Sequence, residues 1–358
     1  MQFSWPERWQ ELLESQENLT PSDISWTTGD ILTGQNAAEE LNAALEQMYQ
    51  YATPVSIPDR AVDLASTGLI GAHSLNISAL AAIVTTAAGA RVVTHASRSL
   101  ASNNGGADLL EALGININVN GAGVAEIVRR IGIGFCYAPT FHPVLSHTAL
   151  ARAELAVPTI FDLLEALANP AKPKVLSVGV AKEEHLSLIA NVMVRRSSEG
   201  FVFRSDDGSP QLSLATPSTV YQVADGEIRI DRFDPTNLGI ESASYSELAG
   251  LDLTQIAKKS REILSGKESA AKNAVTLNAA AGIAAFKADF GLSIEQQLAN
   301  GLVMARQAIE SGAAMALLES WAQLSQEIAL IQPADLLRLS ELSSARVWVA
   351  LPKRSSNR

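Results

Sequence analysis

The chain has one cysteine in 358 residues, Cys136. An intrachain disulfide is therefore excluded and a reducing compartment is expected. The apolar run IGIGFCYAP around this thiol speaks for a buried group rather than a nucleophile. Aromatic residues are scarce, 5% against 47% hydrophobic, so the core must be built from Ala, Leu, Val and Ile. Such side chains suit helices packed closely on a sheet. No apolar run is long enough to span a bilayer, and Met1–Gln10 is too polar for a secretory leader, so the expectation is a cytoplasmic chain with no membrane partner. Basic residues are outnumbered 27 to 38, for a formal charge of −11, which disfavours nucleic acid as the main partner.

What the chain does have is an alternating pattern around one conspicuous turn. Ser66–Ser78 reads STGLIGAHSLNIS, preceded by Ala61, Val62 and Leu64 and followed by the helical pattern LNISALAAIVTTAAG. A strand–turn–helix of this kind crowds Thr67, Gly68, Ser74, Asn76 and Ser78 at a helix N-terminus. Free N–H groups and the helix dipole suit a phosphate or carboxylate there, and an ordinary capped helix reads the same way.

Residues 1–58 read as short helices over Trp5–Leu13, from Thr20-Pro21-Ser22-Asp23, and over Ala37–Tyr51, with Pro54, Pro58 and Asp59 marking a linker. Strands at Ala61–Ala65, Arg91–His95 and Ile131–Tyr137 then alternate with helices at Ser78–Ala88, Ala107–Leu113 and Val124–Arg130. Phe141–Leu167 is helical with a break at Pro158. Val175–Val180, a helix over Glu183–Val194, and Gly200–Arg204 resume the alternation. Leu212–Leu214, Thr219–Val223 and Glu227–Ile230 read as short antiparallel strands, 247–329 as helices, and the basic tail from Gln332 ends in a candidate edge strand. The fold class is α/β, a mostly parallel sheet covered by helices on both faces.

In this frame the sequence resembles the anthranilate phosphoribosyltransferase family over residues 20–325. The resemblance rests on Thr67-Gly68, Asn76-Ile77-Ser78, His95 with Arg98-Ser99, and the run Gly105–Gly114. It continues through Tyr137-Ala138-Pro139, His142-Pro143, Arg152, Thr159-Ile160-Phe161, Asn169-Pro170, Asp225-Gly226 and Asn278-Ala279-Ala280. It implies a small helical domain, 1–58 rejoined by about 143–168, a larger α/β domain of 59–142 and 169–330, a basic tail of 331–358, and a homodimer through the helical domain. It implies phosphoribosyl transfer from phosphoribosyl pyrophosphate to an aromatic amine, with Mg²⁺, in tryptophan synthesis. Carried over residue by residue, Asn76, Ser78 and Arg98 match the phosphoribosyl pocket, and Thr67 and Gly68 its phosphate loop. His95 and Arg152 match the side that contacts the aromatic acid.

The departures fall on the charge-handling positions. The family's Gly-Thr-Gly-Gly-Asp is here Ser66, Thr67, Gly68, Leu69 and Ile70, and its Lys-His-Gly-Asn is Thr94, His95, Ala96 and Ser97. Its metal-holding Asp-Glu pair falls on Pro210 and Gln211, and the Gly of its Gly-Pro-Leu on Glu165. Asp206 and Asp207 read either as a shifted metal pair or as an exposed turn. Arg152 suits a carboxylate ligand or an ion pair with Glu154 or Asp162, and His95 a ligand contact or a structural bond. Arg98 reads as a ligand contact or a loop anchor, His142 as structural, and His73, His147 and His185 as solvated. The expectation is a phosphoribosyltransferase-like protein whose family reaction is weak or lost, the alternatives being a non-catalytic binding or regulatory paralogue and, behind it, a nucleic-acid binder.

Overall fold

The computed structural model describes residues 5–14, 17–33, 36–57, 60–68, 75–99, 105–155, 157–243 and 251–331. Leu69, Ile70, His73, Ser74 and the edge strand expected in the tail lie outside the described residues. Helices α1 (Trp5–Glu14), α2 (Pro21–Thr33) and α3 (Ala37–Gln50) come first. Then follow β1 (Val62–Ser66), α4 (Ile77–Ala87), β2 (Val92–Ala96), α5 (Gly106–Ala112), α6 (Gly121–Ile131) and β3 (Ile133–Tyr137). The short α7 (Ala138–Phe141) leads into α8 (Pro143–Leu155) and α9 (Ile160–Leu167), with Pro158 between the last two. β4 (Val175–Gly179), α10 (Glu184–Arg195), β5 (Glu199–Ser205), β6 (Ser218–Ala224) and β7 (Glu227–Phe233) complete the sheet. Helices α11 (Leu253–Leu264), α12 (Ala270–Lys287), α13 (Ile294–Glu310) and α14 (Ala313–Ala329) are the last elements of the described residues.

Among the described residues seven strands run in the order β3-β2-β1-β4-β5-β6-β7. The first five are parallel, and β6 and β7 extend them antiparallel. The parallel strands are near-continuous apolar runs because both of their faces are covered. Alternate residues therefore serve two cores. Val62, Leu64, Val175, Phe201 and Phe203 join a layer with α4, α5, α6 and α11 to α14. Ala65, Leu176, Val178 and Val202 join the other, with Trp9, Leu41, Leu45, Phe161, Leu164, Ile189 and Met193 from α1, α3, α9 and α10. Scarcity of aromatics lets the helices come close. A Cβ on Gly301 of α13 would lie 2.4 Å from the Ala280 carbonyl oxygen of α12. Among the described residues no helix is long and apolar enough to cross a membrane.

Two local expectations fail. Leu212–Leu214 is no strand. The Asn278 side chain accepts from the Leu212 N–H at 2.9 Å and donates to its carbonyl at 3.1 Å, and Ser205 Oγ accepts from Ser213 N–H at 2.9 Å, so these backbone groups are satisfied without a ladder. His185 is buried on α10 rather than solvated.

Candidate active site

The chain runs outward from β1 to β2 and β3, then returns to lay β4 on the other side of β1. That reversal makes the carboxyl ends of β1 and β4 the switch point of the sheet, and ligands of open α/β sheets bind at such a point. Thr67 lies at this point, its N–H donating to the Gly179 carbonyl at 3.0 Å and its Oγ1 accepting from Ala181 N–H at 3.1 Å. Gly68 follows with φ +82°, a conformation that favours glycine, and its N–H reaches Ser66 Oγ at 3.3 Å. Asn76 is the N-cap of α4, its Oδ1 accepting from Ala79 N–H at 2.9 Å. Ser78, in the first turn, accepts from Gln211 Nε2 at 3.2 Å. The segment that replaces the family's acidic pair therefore lies against the start of α4. Its backbone also abuts the end of β4, where a Cβ on Gly179 would meet the Pro210 oxygen at 1.7 Å.

The two arginines read as ligand contacts are both occupied by acids. Arg98 Nη1 donates to Asp108 at 3.0 Å and to Glu111 at 2.8 Å, with its guanidinium over the Tyr137 ring. Asp108 also accepts from the N–H groups of Ser99 and Gly105, so the pair ties those two backbone positions together. Arg152, with a side chain only 11% exposed, donates to Asp162 at 2.7 Å and to Glu165 at 3.4 Å. Asp162 is one of the partners its sequence position suggested; Glu165 is a partner that reading missed. The acid standing where the family has glycine was the available signal. Glu165 does more than meet the arginine. Its Oε1 accepts from Ser97 N–H at 2.7 Å, and its backbone oxygen accepts from His95 Nδ1 at 3.0 Å. Four residues of β2, its following loop, α8 and α9 thus converge.

Beneath them lies a buried polar cluster. His95 and His142 pack edge to face at 5.2 Å, and His142 Nε2 donates to the Ala168 carbonyl. Burial pushes the imidazolium of His95 down to about 4 and that of His142 to about 3, so both rings are neutral at physiological pH. Asp63 on β1 is fully enclosed. One oxygen accepts from Asn169 Nδ2 at 2.9 Å and the other has no partner among the described residues, and burial pushes its carboxyl up to about 7. Burial, with Asp63 adding to it, raises the Cys136 thiol as well.

Among the described residues, those near the turn after β1 offer a hard divalent cation few ligands. Proline has no ligating side chain, and the Gln211 amide is turned to Ser78 through its nitrogen. Asp206 is held by Arg232 through both oxygens, at 2.8 and 2.6 Å, and Arg232 draws its carboxyl below the usual range. Asp207 accepts from Ser213 Oγ and Ser209 N–H. Among the described residues no three His, Cys, Asp or Glu side chains gather as a metal site.

Residues 58–315 match the family described as "Glycosyl transferase family, a/b domain". The chain is 39% identical to the anthranilate phosphoribosyltransferase of Rhodococcus opacus over 91% of its own length and 94% of that relative. It is 38% identical to that of an Arthrobacter species over 90% and 96%. Among solved structures, the Thermus thermophilus anthranilate phosphoribosyltransferase superposes with a TM-score of 0.79 at 30% identity, covering 91% of this chain and 97% of that one. The Saccharomyces cerevisiae enzyme, solved with PRPP and Mg, shares the fold at a TM-score of 0.77 and 23% identity, over 89% and 91% of the two chains.

Proposed function

The chain belongs to the anthranilate phosphoribosyltransferase family, and from that premise we propose that its site takes phosphoribosyl pyrophosphate and an aromatic amine, with the transfer itself slowed or lost. The observation that carries this reading is the Gln211 amide seated on Ser78, at the position the resemblance gives to a metal-holding carboxylate pair. Breaking the anomeric bond builds positive character on the sugar and negative charge on the departing pyrophosphate. A catalyst must neutralise the latter with groups already in place. Here the lysine position is Thr94, the loop acid is Ile70, and the pair is Pro210-Gln211. Arg98, which the resemblance turns towards the ligand, is answered by two carboxylates. Removing one such electrostatic group costs roughly 10²–10³ in rate, and several are missing together.

Thr67, Gly68, Asn76 and Ser78 keep the turn and helix start on which a phosphate group can rest, which supports retained binding. A homodimer and a cytoplasmic location belong to the same reading, supported by the family alone. The test is pyrophosphate release from phosphoribosyl pyrophosphate and anthranilate with Mg²⁺, run beside the Rhodococcus opacus relative, with calorimetry for binding. The expected result is measurable binding with turnover about 10³-fold or more below the relative. Equal turnover would overturn the reading.

A further inference from the structure

Arg152 is answered twice. A single guanidinium, nearly buried, faces Asp162 at 2.7 Å and Glu165 at 3.4 Å, which leaves one excess negative charge in a poorly hydrated place. Glu165 is itself gripped as a protein grips a bound acid, by a backbone N–H (Ser97, 2.7 Å) on one oxygen and an arginine on the other. His95, whose neighbour in this cluster is the Glu165 backbone, is neutral and offers no compensating charge.

We propose that Glu165 decides which acceptor this site takes: it fills the carboxylate seat formed by Arg152 and the Ser97 N–H, so the site selects an aromatic amine that bears no carboxylate over an aminobenzoate. The inference rests on the phosphoribosyltransferase reading, which assigns the acceptor to the His95–Arg152 side. An incoming carboxylate must either displace Glu165 from both donors or sit beside it as a third acid around one arginine. Either route weakens binding relative to a neutral ligand of the same shape. A single like-charge contact in a half-buried setting is worth about tenfold or more in affinity.

The probes are 2-aminobenzoate and 2-aminobenzamide, which match in shape and differ by one charge. Each is titrated calorimetrically into the full chain and into Glu165→Gln, a substitution that keeps the side-chain volume and an acceptor for Ser97. The unmodified chain should prefer the amide by about tenfold or more, a comparison that depends on no variant. Glu165→Gln should cut that preference by about tenfold or reverse it. The proposal is overturned if the unmodified chain binds the acid as tightly as the amide, if the preference is unchanged in Glu165→Gln, or if neither protein binds either probe. Phosphoribosyl pyrophosphate titrated into the same samples separates the two readings. Its binding without the amide preference sinks this proposal and leaves the family reading standing; failure of all three ligands to bind sinks both.

Discussion

Asp63→Asn should make the protein more stable, and by an amount that depends on pH. Asp63 is enclosed on β1, with Asn169 as the donor to one oxygen and no partner for the other among the described residues, so its native carboxyl is lifted from 3.8 to about 7. The native state therefore holds a proton that the unfolded chain releases. Its favourable contribution is complete below about pH 4 and is lost as pH rises towards 7. A shift of roughly three units at about 1.4 kcal/mol each amounts to about 4 kcal/mol. Asparagine has the shape of the protonated acid and does not ionise. The stability difference between variant and unmodified chain should start near zero at pH 4, grow through pH 5 and 6, and level off near about 4 kcal/mol by pH 8. His95 and His142 act with the opposite sign, since their depressed values remove stability as pH falls below 6.5. Both are present in both proteins, and burial rather than Asp63 sets their shifts, so they drop out of the difference while remaining visible in either profile alone. Urea unfolding of the two proteins at each pH gives the quantity directly. A difference that stays flat between pH 4 and 8 would refute the burial argument.

Three further outcomes follow from packing and from the replaced positions. Asn278→Ala should cost about 2–4 kcal/mol in urea unfolding, because the Leu212 N–H and carbonyl lose their side-chain partner in a buried place. Gly301→Ala should cost about 1–3 kcal/mol, read as a lowered Tm, by pushing α13 off the Ala280 carbonyl. Pro210→Asp combined with Gln211→Glu should make phosphoribosyl pyrophosphate affinity rise with added Mg²⁺ in calorimetry, whereas the unmodified chain should show little such dependence.

Most of the architecture was legible because its signals are local. Short apolar runs between helical stretches marked β1 to β5, and Asn76 marked a helix start; Gly132, read as part of a strand, instead ends α6 in the left-handed conformation. The failures share a cause: a distant partner overrode a local pattern. Leu212–Leu214 has a strand-like composition, yet Asn278, 66 residues away, claims its backbone. His185 looked solvated because nothing near it in sequence reveals that α10 packs against the sheet. In the site, the Asn76 cap was visible from spacing, and Asp162 was among the partners weighed for Arg152. Glu165 was visible only as a departure from glycine. That it joins Arg152, Ser97 and the strand carrying His95 depends on how α9 folds back over β2, which no spacing rule encodes.

The β1 and β4 strands carry side chains into both cores, Leu64 and Val175 one way, Ala65 and Val178 the other. Trp9, Leu41 and Leu45 thus share their apolar cluster with strand residues rather than forming an island of their own. Trimming the amino-terminal helices would uncover the outer sides of α9 and α10, the helices that lie on that face of the sheet, and leave the remainder prone to aggregate. Heat should accordingly melt the molecule in a single cooperative event, with the first helices and the strands lost together.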